Sequence, residues 1–154
     1  MTTTIENVHA SLQNFCKRFA EAMNVQLGYD LDNIDFEAFT EESELPLKDL
    51  VGITNLSVEV DEHVLDIECM VGVVTYGDTN NFRLRKLSGY LFEELKPTRC
   101  LPYVDADTGI VSNQFSVVNG TKMMPVSGGE RPARFFIVRM KSLETIDLRS
   151  TGVL

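Results

Sequence analysis

The feature that most constrains the fold is a run of alternating apolar residues at positions 65–73, which ends in a stretch that is apolar on both faces. Apolar side chains occupy every second position, and from Cys69 to Val74 the intervening positions are uncharged as well. A period of two predicts a β-strand, and two apolar faces are typical of a central strand that is covered on both sides. Leu56, Val58 and Val60 alternate before it, and residues 61–63 supply a polar turn. The two runs together predict a β-hairpin.

Two segments have helical periodicity. Residues 3–23 begin with Thr3 and Glu6 at the spacing of a capping box. Residues 80–95 follow the central strand, with Asp78 or Asn80 as the N-cap and Pro97 as the stop. Each segment carries one apolar stripe. The stripes consist of Ile5, Val8, Leu12, Phe15, Cys16, Phe19 and Met23 in the first helix, and of Leu84, Leu87, Leu91 and Leu95 in the second.

The remaining patterns predict further strands and turns. Strands are expected at residues 27–31, 100–104 and 133–143, and residues 105–109 (DADTG) are expected to form a tight turn in which aspartates accept backbone N–H bonds. The Asn119-Gly120 dipeptide predicts a second hairpin, with its second strand at residues 122–126.

This order of elements predicts an α+β fold, a mostly antiparallel sheet with two amphipathic helices packed on it. At 154 residues the chain is expected to form one domain over positions 1–154. That domain would carry an acidic loop insert at about 30–50 and a flexible C-terminal tail from about position 149.

Charge is distributed unevenly along the chain. Residues 1–80 carry a formal net charge of −13 and residues 81–154 a net charge of +4, within a total of −9. Residues 30–49 alone hold eight acidic residues and one basic residue, interleaved with aromatic and aliphatic side chains that argue against full disorder. The acidic total argues against sequence-specific nucleic-acid binding. Two interpretations stay open: complementary surfaces on neighbouring subunits, or two independently solvated faces.

Residues that support chemistry are scarce. The chain has two histidines, His9 and His63, which lie in unrelated settings, so that no zinc site or catalytic triad is predicted. Cys16, Cys69 and Cys100 are odd in number, and two of them lie in apolar patterns, which predicts reduced core cysteines. No catalytic residue, cofactor site or metal site is therefore predicted.

The same sequence gives expectations about location. The longest apolar runs are far shorter than the roughly 20 residues that span a bilayer. The first residues lack the basic and apolar regions of a signal peptide, which predicts an intracellular protein without a membrane partner.

The best candidates for a functional surface are charged residues. Arg83, Arg85 and Lys86 fall near the start of the second helix, where the helix dipole disfavours cations, so that a contact with acidic groups of a neighbour is one explanation. Surface cations whose stems cover apolar surface are the other. The acidic interface candidates are Asp35, Glu37, Glu41, Glu42 and Glu44.

The order of elements, together with segments such as VGVVTYGD (71–78), LPYVDADTG (101–109) and PARFFIVRM (132–140), resembles the tail terminator, or tail-completion, proteins of long-tailed bacteriophages. The resemblance implies a structural virion protein without enzymatic activity, made in the host cytoplasm. Such proteins assemble as a ring, usually a hexamer, on the last ring of tail-tube protein. They stop tube growth and contact the head connector and neck proteins and, in contractile tails, the sheath. DNA passes through the lumen of such a ring.

Two alternatives remain open on the sequence alone. One is another neck or sheath-contacting adaptor ring of the same particle. The other is a small α+β ligand-binding module or enzyme with a site that the sequence does not reveal.

Overall fold

The computed structural model describes residues 5–30, 49–61, 64–127 and 131–142. They form helix α1 (Ile5–Met23), strands β1 (Gln26–Asp30), β2 (Leu50–Asp61) and β3 (Val64–Val74), helix α2 (Phe82–Glu94), and strands β4 (Cys100–Val104), β5 (Val111–Met123) and β6 (Ala133–Ser142). The strands make one six-stranded sheet in the order β1-β2-β3-β6-β5-β4. β1 pairs with β2 in parallel, and every other neighbouring pair is antiparallel. The predicted α+β fold with a mostly antiparallel sheet is confirmed.

Helix α1 follows its apolar stripe. Val8, Leu12, Phe15, Cys16 and Phe19 are all buried. The two ends of the stripe are less protected, since Ile5 is 39% exposed and Met23 is half-buried.

The helix ends at an asparagine. Asn24 adopts a φ of 54°, in the left-handed region that asparagine tolerates, and the Val25 N–H donates to the Ala20 carbonyl at 3.0 Å. This bond satisfies one carbonyl of the last turn. Thr3, half of the predicted capping box, lies outside the described residues.

The predicted β2–β3 hairpin is confirmed, with β2 extending back to Leu50. β3 lies third in the sheet, between β2 and β6, and Val71, Val73 and Val74 are at most 1% exposed. The predicted central position of this strand in the sheet is confirmed.

The hairpin predicted at Asn119-Gly120 is wrong, because β5 runs without a turn from Val111 to Met123. The pairing with β6 shifts between Val118 and Gly120, so that the extra residue is taken up as a β-bulge. β6 offers hydrogen-bond partners to residues on both sides of this point. The strand therefore continues where an isolated Asn-Gly pair would favour a reversal.

Both helices cover the same face of the sheet. The Phe92 ring of α2 lies 6.3 Å from the Phe136 ring of β6. Cys16 of α1 and Cys69 of β3 are both buried in the same core, and burial, with a smaller contribution from Cys69, raises the pKa of Cys16. The two helices and the sheet share one hydrophobic core. On β6, Phe136, Val138 and Met140 are buried and point into this core.

Helix α1 crosses the sheet from one edge to the other, since it contacts β4 as well as β1 and β2. Its first turns bind β4 through two buried polar side chains. The Ser11 hydroxyl accepts the Val104 N–H at 2.9 Å, and the Asn7 side chain accepts the Ala106 N–H at 2.8 Å and bonds to the Tyr103 hydroxyl. These bonds satisfy backbone N–H groups at the end of an edge strand.

Candidate interaction surfaces

The first residues of α2 carry an ion-pair network rather than a free cationic patch. Arg83 donates from Nε to Asp49 Oδ2 at 2.8 Å and from Nη2 to Asp49 Oδ1 at 3.0 Å, a bidentate pair. The same Nη2 reaches the Tyr76 carbonyl at 2.6 Å. The hydrogen bond to Asp49 raises the pKa of Arg83 above its usual value. Arg83 thus has a partner within its own chain, which accounts for a cation at this unfavourable end of the helix.

Asp78 caps α2 across a short 3₁₀ turn. Its carboxylate oxygens accept the N–H groups of Arg83 and Leu84 at 2.9 and 2.8 Å, and Thr75 donates its hydroxyl at 3.1 Å. Burial opposes ionisation of this carboxyl group, but the hydrogen bonds prevail and the pKa of Asp78 lies below its usual value. Asn80 and Asn81 have φ values of 59° and 56°, and the helix begins only at Phe82. Of the two predicted caps, Asp78 supplies the side-chain oxygens.

A second arginine lies beside the same network. Arg131 is 7% exposed, and its guanidinium carbon is 5.0 Å from the centre of the Tyr76 ring. Burial lowers the pKa of Arg131, and the Asp49 carboxylate opposes that shift. The network joins the start of β2, the β3–α2 turn and the segment before β6. Its role is to hold three chain segments together.

The predicted interface residues fall into three groups. Arg83 is bound as described, whereas Arg85 and Lys86 are exposed. The five acidic candidates, Asp35, Glu37, Glu41, Glu42 and Glu44, lie outside the described residues. A contact between the basic and acidic candidates across subunits stays a prediction.

A groove runs between α1 and α2. It contains two cavities of about 750 and 540 Å³, which share Ala22, Met23 and Tyr90 in their walls. The smaller cavity, here called the α2 groove, is also lined by Val25, Phe82, Lys86 and Leu87. Sequence reasoning missed this surface, because Phe82 lies off the apolar stripe of α2.

The rim of the α2 groove carries exposed aromatic side chains beside charged ones, among them the Arg83–Asp49 pair. Phe82, Lys86 and Tyr90 are spaced four residues apart and lie along one face of the helix. Phe82 is 72% exposed and Tyr90 46% exposed. Two exposed aromatic side chains beside a concave surface are typical of a docking site.

The turn between β4 and β5 forms a second apolar surface. Residues 105–111, here called the β4–β5 tip, carry Ile110 at 67% exposure and Val111 at 52% exposure. The predicted aspartate-supported turn is confirmed, since Asp105 Oδ1 accepts the N–H groups of Asp107 and Thr108 at 2.9 and 3.1 Å. The sequence offered one signal for this surface, two aliphatic residues directly after a turn motif.

On the face of the sheet away from the helices, charges pair across strands. Arg139 donates from Nε to Glu68 at 3.0 Å, and Lys141 lies 3.6 Å from Asp66. Both pairs face each other directly in the β3–β6 register. These cations and acids are matched within the chain.

The buried polar side chains of the described segments support the fold, and none of them lines the α1–α2 groove. They are Asn7, Ser11, Thr75, Ser88, Arg131 and Ser142. Within residues 5–30, 49–61, 64–127 and 131–142, no group of three or more histidine, cysteine or acidic side chains is placed to hold a metal ion. Cys16 and Cys69 are buried free thiols, as predicted, and Cys100 is an exposed free thiol.

In the part of the chain that the structure describes, neither helix is long and apolar enough to cross a membrane. The sequence matches no protein-family model, and no curated protein aligns with it significantly.

Proposed function

We propose that the protein is a structural virion component of a long-tailed bacteriophage, which forms a ring at the head-proximal end of the tail. The ring, expected to be a hexamer, ends growth of the tail tube and joins the tail to the head connector. The observation that carries the proposal is the exposed rim of the α2 groove, with Phe82 at 72% and Tyr90 at 46% exposure. A partner docked over both side chains would remove this apolar surface from water, which is favourable.

The disposition of polar groups supports docking over catalysis. Active sites need polar side chains that converge on a cavity. In the described residues, the buried polar side chains instead bind groups of the fold, as Ser11 does for Val104 and Ser88 for the Leu84 carbonyl. The charged residues that line the larger cavity are all exposed at the surface; they are Arg18, Glu21, Glu93, Glu94 and Arg99.

The charge distribution supports a head-to-tail assembly. A ring of identical subunits needs two different surfaces that fit each other. Residues 1–80 are strongly acidic and residues 81–154 are basic. Some of these charges pair within the chain, as Arg139 does with Glu68, and the exposed remainder would supply unlike surfaces that steer the register of association. An acidic lumen would also repel DNA phosphates and limit adhesion during ejection.

The test is the mass of the native particle, measured by sedimentation velocity on the full chain alone and with purified tail tubes. A ring in either condition supports the proposal. The double variant Arg85→Glu, Lys86→Glu is expected to weaken the ring, and more so at low salt, whereas reversal of the exposed Lys122 on β5 is the matched control. A chain that stays monomeric both alone and on tubes would contradict the proposal.

A ligand-binding module remains the second candidate, because the larger cavity of about 750 Å³ has the size of small-molecule sites. A monomer that binds a metabolite in thermal-shift or calorimetric screens, with loss of binding on replacement of Phe19 or Leu101 in that cavity wall, would favour it.

Another adaptor ring of the same neck differs from a terminator in its partner. Binding to the tube end, as opposed to the connector or sheath alone, distinguishes the two.

A further inference from the structure

We propose that the β4–β5 tip of one copy docks into the α2 groove of the next copy. The contact rests on the ring proposed above and names the two surfaces that form it. The occupant of the groove is therefore a second copy of this chain, with Ile110 and Val111 as the inserted side chains.

The β4–β5 tip is preorganised for insertion. The Asp105 N–H donates to the Ile110 carbonyl at 3.0 Å and closes the turn, and the Ile110 N–H donates to the Thr108 hydroxyl at 3.2 Å. Gly109 supplies a φ of +71°. The turn is tied to α1 through the bond between the Ala106 N–H and Asn7. Docking such a turn costs little ordering entropy.

The two surfaces match in polarity and in charge. Ile110 and Val111 are aliphatic, and the groove presents Phe82 and Tyr90 beside a concave floor. At the edge of each surface lies an exposed charge, Asp107 on the tip and Lys86 on the groove rim. Opposite charges at the rim of an apolar contact favour this register over others.

The two surfaces lie at opposite ends of α1. The tip is held by Asn7 in the first turns, and the groove is lined by Ala22 and Met23 in the last turn. Fifteen residues of α-helix separate Asn7 from Ala22, a span of about 22 Å. One copy therefore cannot fill its own groove, whereas a row of copies can fill each one. Such a head-to-tail contact closes into a ring when its rotation permits.

The test uses one variant on each surface. Ile110→Asp places a charge in the apolar surface of the β4–β5 tip, and Phe82→Asp places a charge on the rim of the α2 groove. Neither side chain is needed for folding, because both are largely exposed, and an aspartate in the first turn of α2 is favourable. Each variant alone is expected to weaken association at least about tenfold and to give monomers in sedimentation velocity at concentrations where the wild type assembles.

Mixing the two variants gives the decisive readout. Ile110→Asp keeps an intact groove and Phe82→Asp an intact tip, so that the mixture is expected to form a one-to-one dimer and no larger species. Met123→Asp, at an exposed apolar position on β5, is the matched control and is expected to assemble like the wild type.

Several outcomes would overturn the contact. If both Ile110→Asp and Phe82→Asp form rings as readily as the wild type, the contact between tip and groove is contradicted, whereas the proposed ring is not. A mixture that stays monomeric would remove it as well. A wild type that is monomeric alone and on tubes would remove both this contact and the proposed ring. Binding of a different protein in the groove, with the tip free, would assign the groove to that partner.

Discussion

Phe135 of β6 stands directly opposite Gly72 of β3, and a Cβ atom at position 72 would lie 2.4 Å from two carbons of the Phe135 ring. Cβ atoms essentially never make contacts that short. The Phe135 ring can therefore pack against the central strand only because residue 72 is a glycine.

Replacement of Gly72 by alanine is expected to destabilise the protein by about 1–3 kcal/mol, because the Phe135 ring must move or the strands must separate. Urea unfolding measures the change. Gly89→Ala is the matched control, since a Cβ at this exposed position of α2 meets no atom within 4 Å. That variant is expected to gain about 0.5–1 kcal/mol. In a Phe135→Ala background the Gly72 penalty should largely disappear, and an equal penalty in both backgrounds would refute the explanation.

The Arg83–Asp49 pair is expected to contribute modestly to stability. The Arg83 side chain is 46% exposed and the Asp49 side chain 15% exposed, so that solvent screens part of the attraction. A double-mutant cycle of Arg83→Ala and Asp49→Asn is expected to give a coupling free energy of about 0.5–1.5 kcal/mol. Arg83→Lys is expected to lose most of that coupling, because a lysine cannot form the bidentate contact. A lysine variant as stable as the wild type would contradict this account.

Protonation of Asp78 is expected to make the free energy of unfolding fall at acid pH. Its pKa lies below the ordinary value of 3.8 in the folded chain, so its contribution is complete above pH 3.8 and is lost as the pH falls through the folded value. Asp78→Ala is expected to cost about 0.5–2 kcal/mol near neutral pH through loss of the cap.

The pH dependence is measured by urea unfolding of the wild type and of Asp78→Asn between neutral pH and strong acid. The difference in their free energies of unfolding should shrink towards the acid end. A difference that stays constant with pH would show that the carboxylate charge is not involved.

The three cysteines are expected to differ in reactivity. Burial raises the pKa of Cys16 and of Cys69 to about 12, whereas Cys100 is exposed. At pH 8 a native chain should therefore react quickly with one equivalent of a thiol reagent, and a Cys100→Ser chain with none. More than one fast thiol in the native wild type would contradict the buried positions.

The same two thiols are expected to lower stability in alkali. An unfolded thiol ionises near its ordinary value of 9.0, while the folded thiols stay neutral up to about 12. Their contribution is complete below pH 9.0 and is lost as the pH rises towards the folded values. Denaturant unfolding of the wild type and of Cys16→Ala is measured across this pH range. The free energy of unfolding should fall less steeply with rising pH in the variant.

Much of the fold follows from periodic patterns in the sequence. The stripes of α1 and α2 and the alternation in β3 are long, and each predicted an element that the structure contains. The Asn119-Gly120 pair misled the prediction because a local turn preference competes with pairing to β6, which no local pattern reveals. Similarly, Asn7 and Ser11 interrupt the apolar face of α1, and their role depends on β4, which lies far along the chain.

The candidate surfaces were harder to predict for the same reason. The charges of Arg83, Arg85 and Lys86 were visible in the sequence, but the partner of Arg83 lies 34 positions away, at Asp49. Phe82, Ile110 and Val111 are ordinary apolar residues in a sequence, and only their exposure in the folded chain marks them as a surface. The acidic candidates between positions 35 and 44 stay predictions.

The bonds from Ser11 to Val104 and from Asn7 to Ala106 join positions 93 and 99 residues apart. Helix α1, in the acidic half of the chain, therefore completes its contacts with the sheet only when β4 of the basic half is in place. During synthesis these two bonds can form only after β4 has been made, whereas the contacts of α1 with β1 and β2 can form earlier. The long sequence separation adds loop-closure entropy to the later step. A chain that ends before β4 would therefore lack both the β4–β5 tip and the hydrogen bonds that anchor the first turns of α1.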